Sequence, residues 1–303
     1  MNSKVIIIFP YGGYEHNKQC EYFFWWTVDK CKELDLNPIV VLNRDTVINN
    51  KANSFVEDDR FQELEVIETW AVDTCQMWLI GWGYVLDRYP ESERIIQIPG
   101  DIDYIDKEDE FYQNLGYFIK QQDKDITIGD FRPGEEYSAK GLVDTYGTYA
   151  LLANWFPEIS KSIRALSLNR PRSEFINFKA SVLHDLLKNN RKFAYEQTLN
   201  FIIKSWNFAE KKWKYSISVF PLGTLSDERS FRQYSGSIDQ IERTERILAL
   251  LWREIKEPED SKNNTLSFEE CYKDFSDEYD KLYNKSKGIV ISARTTLRAF
   301  LGV

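Results

Sequence analysis

The segment Arg94-Ile-Ile-Gln-Ile-Pro-Gly-Asp-Ile-Asp103 decides the fold that this sequence predicts. Its first five residues are largely apolar and β-branched, which is typical of a buried β-strand. The Pro-Gly pair then ends the strand, so Asp101 and Asp103 follow at its tip. Side chains of an extended chain alternate with a period of two, so we expect both carboxylates on one side.

Other apolar runs alternate with helical patterns before and after this segment. Strands are predicted at residues 4–9, 38–42, 64–67, 94–98 and 125–129, and helices at 18–36, 72–89 and 108–122. This alternation predicts an α/β fold, with a mostly parallel sheet and helices on both faces. Ligands bind at the carboxyl ends of such strands. Asp45 and the Asp101 segment both follow strand ends.

The second half of the chain has a different pattern. Residues 134–170 are helical and aromatic, and helices at 174–190 and 194–208 precede a half-exposed strand at 215–220 and a long amphipathic helix at 238–255. The polar stretch at residues 257–264, which contains Pro258, is the best candidate for a linker between domains. We therefore predict a main domain, residues 1–256, with halves that meet at residue 133. A helical C-terminal extension, residues 257–303, follows it.

Composition excludes several classes of protein. The net charge of -9 over 303 residues disfavours binding to nucleic acid, which needs clustered Lys and Arg. Four cysteines without a CxxC spacing and only two histidines make a structural zinc site improbable. The apolar runs are too short for a transmembrane segment or a signal peptide core. These features together favour a cytoplasmic protein.

Asp101 and Asp103 are the strongest candidates for chemistry. Two carboxylates at one strand tip resist joint ionisation unless a cation compensates them. Mg²⁺ or Mn²⁺ prefers hard oxygen ligands and bridges carboxylates to substrate phosphates. Such a metal would stabilise a diphosphate leaving group. The alternative is that the pair consists of ordinary loop acids.

Three motifs in order resemble the nucleotide-sugar half of the GT-A glycosyltransferases: Pro10…Glu15, Asn43-x-Asp45 and Gly100-Asp-Ile-Asp103. Residues 125–129, 172–175, 195–199 and 219–223 are similar in order and spacing to the mannosylglycerate synthase and glucosyl-3-phosphoglycerate synthase group. The resemblance covers residues 4–230. It implies a Rossmann-like GT-A fold and transfer of a hexose from a UDP- or GDP-sugar to a small polar acceptor, with retention of anomeric configuration.

The resemblance also implies roles for individual residues. The nucleoside pocket would contain Pro10, Tyr11, Glu15, Asn43 and Asp45. The metal motif would comprise Gly100, Asp101, Ile102 and Asp103, with Asp101 at the ribose or the metal and Asp103 as the principal ligand. Arg172 and Glu174 would lie on the sugar or acceptor side, and Glu196 near the reacting centre.

The sequence departs from the group after its Leu-Gly pair. The group completes its metal site with a histidine there, whereas Leu222-Gly223 is followed by Thr-Leu-Ser-Asp-Glu-Arg. Asp227 is an acceptable oxygen ligand in place of that histidine. The alternative is that this segment is only a loop.

Several candidates have structural explanations as well. Asp45 could be a turn residue, and Glu196 a charge at a helix N-terminus. Asp130 and Arg132 suit an acceptor hydroxyl and an anion, or they form a surface salt bridge. Arg170 and Arg172 could bind an anionic acceptor, while Ser173 is predicted as the N-cap of a helix that starts at Glu174.

Other functions remain open at this point. A nucleotidyltransferase of similar architecture is weaker, because the loop after the first strand lacks Lys and Arg until Lys18. A haloacid dehalogenase-type phosphatase is disfavoured, since its Asp pair belongs on the first strand. A non-catalytic interaction protein is the third alternative. The C-terminal tail is expected to pack on its own domain or to form a homodimer.

Overall fold

The computed structural model describes residues 3–9, 18–43, 59–69, 74–100, 102, 105–106, 108–133, 146–189, 197–225, 244–245, 247–249, 251–252 and 255. Within them the chain forms one eight-stranded sheet and a separate two-stranded hairpin. The predicted C-terminal extension, residues 257–303, lies outside the described residues.

Ten strands are present in the described residues. They are β1 (Ser3–Phe9), β2 (Pro38–Asn43), β3 (Glu65–Thr69), β4 (Arg94–Pro99), β5 (Ile105–Asp106), β6 (Ile126–Pro133), β7 (Ile176–Lys179), β8 (Trp206–Asn207), β9 (Lys212–Trp213) and β10 (Ile217–Leu225).

Eight helices with defined bounds lie in the same ranges. They are α1 (Lys18–Glu33), α2 (Asp59–Gln62), α3 (Thr74–Arg88), α4 (Glu108–Ile119), α5 (Thr148–Trp155), α6 (Pro157–Ala165), α7 (Ala180–Asn189) and α8 (Gln197–Lys204). The described residues between 244 and 255 are helical as well, in agreement with the predicted helix at 238–255.

The large sheet has the strand order β3-β2-β1-β4-β7-β6-β10-β5. The first four strands in this order are parallel, and β7 runs antiparallel to both β4 and β6. Strand β10 is parallel to β6, so six strands share one direction. The chain crosses from β3 back past β1 to β4, and this reversal creates a switch point between β1 and β4.

The sheet has an apolar core on each face because its buried side chains alternate. Strand β4 is buried at all six positions, as expected for a strand covered on both faces. Helices α1, α2 and α4 cover one face with Val5, Ile7, Val40, Ile96, Ile98, Phe111 and Phe118 in the core. Helices α3 and α5 to α8 cover the other with Ile6, Ile39, Val41, Trp78, Trp82, Ile95, Phe178 and Phe201.

Polar side chains fasten the edge of the sheet at which the parallel strands begin, called here the amino edge. Arg94, at the start of β4, donates from Nε to Oδ1 of Asn177 at 2.8 Å. Asp125 pairs with Lys179 at 2.8 Å and accepts from the amide of Ser216 at 2.8 Å. These bonds join the ends of β4, β6, β7 and β10.

The predicted fold class, α/β with a mostly parallel sheet and helices on both faces, is confirmed. Two predicted helices are wrong in part. The segment given to a helix at 174–190 begins with strand β7, and the helix proper starts at Ala180. Helix α8 ends at Lys204, before the short strand β8. In β7, Ile176 and Phe178 face one core and Asn177 the other, so the period is two.

The strand predicted at 125–129 continues to Pro133, so Asp130 and Arg132 lie within β6 rather than after it. No helix among the described residues combines the length and apolar character needed to cross a membrane.

Candidate functional site

The opposite edge of the sheet, where the parallel strands end, is called here the carboxyl edge. Several predicted site residues lie there. Gly100 directly follows β4, the backbone of Asn43 ends β2, and Arg132 lies one residue before the end of β6. Strand β7 runs the other way, so the segment before it also lies at this edge. That segment, residues 169–175, is called here the edge loop, and it carries Arg172 and Glu174.

Asp130 fastens the start of the edge loop. Its side chain is buried, with 4% of its surface exposed. The backbone N–H of Asn169 lies 3.0 Å from Oδ2, and the side-chain amide of Asn169 donates to the same oxygen at 2.6 Å. The backbone N–H of Arg170 donates to Oδ1 at 2.9 Å. The alternative interpretation of Asp130 as a member of a surface salt bridge is therefore wrong.

Two features of its environment shift the pKa of Asp130 in opposite directions. Burial raises the pKa of this carboxyl group above its ordinary value, and the hydrogen bonds from Arg170 and Asn169 act in the opposite direction. A buried carboxylate is tolerated when donors surround it. The three N–H groups offset part of the effect of burial, and the pKa of Asp130 stays above its ordinary value.

The second half of the edge loop is held by separate bonds. The amide of Gly129 donates to the carbonyl of Phe175 at 2.8 Å, and the hydroxyl of Ser173 donates to the carbonyl of Gly129. Thr198, in the first turn of α8, donates to the carbonyl of Ser173. Ser173 therefore links β6 to the loop, and its predicted role as a helix N-cap is wrong, because β7 follows it.

Strand β4 also reaches the edge loop. Gln97 is fully buried, and its Nε2 donates to the carbonyl of Glu174 at 2.9 Å. The β4–β7 register pairs Gln97 with Ile176, so Glu174 lies next to the end of β4. Only Ile98 and Pro99 separate Gln97 from Gly100. The edge loop is thus fixed between β4, which leads to Asp101, and β6.

Three charged side chains accompany this arrangement. Arg132 is exposed, and Arg172 and Glu174 are half-buried. All three belong to segments at the carboxyl edge. An edge with two guanidinium groups and a glutamate suits an anionic or hydroxylated ligand.

The short strand β5 brings a distant segment to the same edge. It lies beside β10 at the far side of the sheet, antiparallel to it, and pairs Ile105 with Leu225 and Asp106 with Thr224. Leu225 ends β10, so this pairing lies at the carboxyl edge. Ile102, between β4 and β5, is buried in the core with 8% of its surface exposed.

No family model matches this sequence, and no curated protein sequence matches it. Among solved structures, the chain is similar to a candidate nucleotide-diphospho-sugar transferase from Desulfovibrio desulfuricans. The identity is 11%, with a TM-score of 0.40 over 81% of this chain and 97% of that one. It is also similar to mannose-1-phosphate geranyltransferase from Thermus thermophilus, with 9% identity and a TM-score of 0.40 over 75% of each chain. Both likenesses are remote, so the fold class rests on the strand order described above.

Several predicted site residues lie outside the described residues. They are Pro10, Tyr11, Glu15, Asp45, Asp101, Asp103, Glu196 and Asp227. In the part of the chain that the structure describes, no group of three His, Cys, Asp or Glu side chains could hold a metal ion. The metal motif and most of the nucleoside pocket therefore stay predictions.

The structure adds residues to the site that sequence reasoning missed. Gln97, Thr198 and Asn169 carry the bonds that fix the edge loop, although none of them was predicted to have a role in the site. A polar residue inside an otherwise apolar strand was the available signal for Gln97, because a buried polar group requires a partner. Thr198 lies in residues 195–199, which the resemblance includes, but only Glu196 was assigned a role there. No signal marked Asn169.

Proposed function

We propose that this protein is a metal-dependent glycosyltransferase of the GT-A type, which transfers a hexose from a UDP- or GDP-sugar to a small polar acceptor. The observation that carries the proposal is the pairing of β5 with β10. Ile105 lies opposite Leu225, and each is two residues from a predicted metal ligand, Asp103 in one chain segment and Asp227 in the other.

We propose that this antiparallel register continues beyond Ile105 and Leu225, which would bring Asp103 opposite Asp227. In an antiparallel pair, the residue before a given position on one strand lies opposite the residue after its partner on the other strand. Two steps beyond Ile105 and Leu225 lead to Asp103 and Asp227. Side chains that face each other across strands have Cβ atoms about 5 Å apart. Two carboxylates at that separation favour a bound cation.

Ile102 supports a common direction for Asp101 and Asp103. Its side chain is buried in the core, and neighbouring side chains of an extended chain point to opposite sides. The flanking carboxylates would then face away from the core. Together with Asp227, they would form a set of three carboxylates, and such hard oxygen ligands suit Mg²⁺ or Mn²⁺. A divalent ion bound there would neutralise charge on the leaving diphosphate.

The chain's own residues would supply binding and orientation. Arg172, fixed between β4 and β6, would offer a permanent positive charge to a phosphate or to the acceptor. Glu174 and Glu196 would face the sugar and the reacting centre. Thr198, two residues beyond Glu196, bonds to Ser173, which supports bringing these two glutamates together. Positioning and charge stabilisation of this kind account for much of enzymatic rate enhancement.

The remaining assignments follow the same proposal. Pro10, Tyr11, Glu15, Asn43 and Asp45 would bind the nucleoside at the ends of β1 and β2. Arg132, exposed at the end of β6, would contact the acceptor. Retention of configuration is part of the proposal and is supported only by the motif order.

Titration calorimetry with a panel of UDP- and GDP-sugars, with and without Mn²⁺, tests the proposal. We expect binding of one donor class in the presence of Mn²⁺, and loss of that binding in Asp103→Asn and Asp227→Asn. Asp109→Asn is the matched control, because Asp109 is an exposed acid in the first turn of α4. It should bind like the wild type.

The released product separates the alternatives. A glycosyltransferase releases a nucleoside diphosphate from the donor. A nucleotidyltransferase instead joins a nucleoside triphosphate to a sugar phosphate and releases pyrophosphate. Binding that is equal with and without Mn²⁺, or that survives both substitutions, would contradict the metal site. Absence of binding to every donor would favour an interaction protein.

A further inference from the structure

We propose that Asp130 is a positioning residue, which holds the start of the edge loop in place and acts on the reaction only through that loop. The catalytic part of this inference rests on the proposed function. The structural part concerns Asp130, Asn169 and Arg170 alone and can be tested without a substrate. The sequence alone suggests direct contact between Asp130 and a ligand, which differs from the role inferred here.

The bonds of Asp130 point towards the protein. Both carboxylate oxygens accept N–H groups of the edge loop, from Asn169 and from Arg170. The side chain is 4% exposed, so little of its surface remains for a ligand. Three donors converge on it, and only a carboxylate offers two acceptor oxygens without adding a donor.

The position of Arg172 explains why this anchor would matter. Asp130 holds residues 169 and 170, while Thr198 holds Ser173 and Gln97 holds Glu174. Arg172 lies between these two attachments. Releasing the first attachment leaves the second intact, and the amide of Ser173 still donates to the carbonyl of Arg170 at 3.0 Å. We therefore expect a small displacement at Arg172 while β7 stays paired with β4. A displacement of about 1 Å at such a residue can lower a rate about 100-fold.

Asp130→Asn tests this inference, and Asp125→Asn is its matched control. Asp125 precedes the same strand at the amino edge, and it too accepts a backbone N–H, from Ser216. Hydrogen exchange at the amides of Asn169 and Arg170 reports directly on the anchor. Trypsin cleavage after Arg172 gives a second reading of loop mobility, because the bond after Arg170 precedes a proline and resists trypsin.

We expect faster exchange at both amides and faster cleavage after Arg172 in Asp130→Asn, about tenfold or more, with wild-type behaviour in Asp125→Asn once global stability is accounted for. With the donor found by calorimetry, kcat should fall about 10- to 100-fold. The Kd for the donor with Mn²⁺ should stay within about threefold. A residue that binds the donor itself would change Kd instead.

Several results would overturn the inference. Unchanged exchange at Asn169 and Arg170 would refute the anchor, and faster exchange with an unchanged kcat would refute its role in positioning. Weaker donor binding with unchanged exchange at Asn169 and Arg170 would indicate that Asp130 contacts the donor directly. If no sugar nucleotide is turned over, the proposed function fails while the exchange comparison still decides on the anchor. Should Asp130→Asn fail to fold, Asn169→Ala removes only the 2.6 Å side-chain bond and is measured the same way.

Discussion

The two edges of the large sheet use charged side chains differently. At the amino edge, charged and polar groups satisfy one another: Asp125 pairs with Lys179, and Glu65 accepts a hydrogen bond from the hydroxyl of Tyr89. At the carboxyl edge, the buried carboxylate of Asp130 bonds backbone N–H groups of the edge loop. The bonds at the amino edge join the ends of the strands to one another, whereas those at the carboxyl edge fix a loop that carries Arg172 and Glu174.

The contrast shows how one strand serves two purposes. Strand β6 has an aspartate near each end, and both accept backbone amides. Asp125 ties β6 to β10 and β7 at the amino edge, which stabilises the sheet. Asp130 ties β6 to a segment 39 residues away. Substitutions at the amino edge should therefore lower stability, while those at the carboxyl edge should lower activity more than stability.

The largest effect is expected for Arg94→Met. Arg94 is buried with 4% exposed, and it also donates to the carbonyl of Lys124 at 2.9 Å. Removing it leaves the buried Oδ1 of Asn177 without this donor, so the free energy of unfolding should fall by about 3 kcal/mol. Urea unfolding measures this. Arg132→Met, at the exposed carboxyl edge, should unfold like the wild type, and equal losses in both would remove the distinction.

A smaller effect is expected for Gly129→Ala. A Cβ at this position would lie 2.6 Å from Cδ1 of Leu222 and 2.7 Å from Cβ of Phe175. Relieving such contacts costs about 2 kcal/mol, and it would also move the strand that holds Ser173. Thermal unfolding measures the loss.

Gly116→Ala is the matched control for that substitution. Its new Cβ would meet only Cε of Lys30, at 3.2 Å, and a flexible side chain can give way. Because alanine favours a helix over glycine by up to about 1 kcal/mol, this variant should be as stable as the wild type or slightly more so. A comparable loss in both variants would contradict the packing argument.

The smallest effect concerns acid stability. The hydrogen bond from Lys179, followed by that from Ser216, lowers the pKa of Asp125 to about 2. A lowered folded-state pKa stabilises the fold above the unfolded-state value, and this contribution is lost as pH falls from about 4 towards 2. With screening by solvent, it amounts to about 1 kcal/mol.

Unfolding measured across that pH range checks this prediction. Asp125→Asn should flatten the part of the acid limb that belongs to this residue, and it should lower the free energy of unfolding at neutral pH by about 1 kcal/mol. An unchanged pH dependence in Asp125→Asn would show that the ion pair with Lys179 contributes nothing to the amino edge.

The first half of the fold was predictable because its signals are local. Strands β1 to β4 are short apolar runs next to helices with a period near 3.6, and each predicted position matches the structure within a few residues. Strand β7 was not predictable in the same way. It has four residues, and its partners β4 and β6 lie about 80 and 50 residues earlier in the sequence, so no local pattern records the pairing.

The candidate site was predictable in part. The carboxyl edge follows from parallel strands, so the positions of Gly100 and Arg132 on that edge could be inferred. Glu174 lies there because it precedes the antiparallel strand β7, which the sequence did not predict. The burial of Asp130 could not, because it depends on the loop that folds over the strand. The metal ligands and the nucleoside pocket stay predictions, since their residues lie outside the part that the structure describes.

The antiparallel course of β7 has a consequence for dividing the chain. Strand β6 belongs to the predicted first half, residues 1–133, yet both of its sheet neighbours, β7 and β10, come from the predicted second half. A fragment that stops at residue 133 would leave β6 with no adjacent strand. Co-expressed fragments cut there should regain a native fold only by assembling with each other, which makes this junction a natural place for a split reporter.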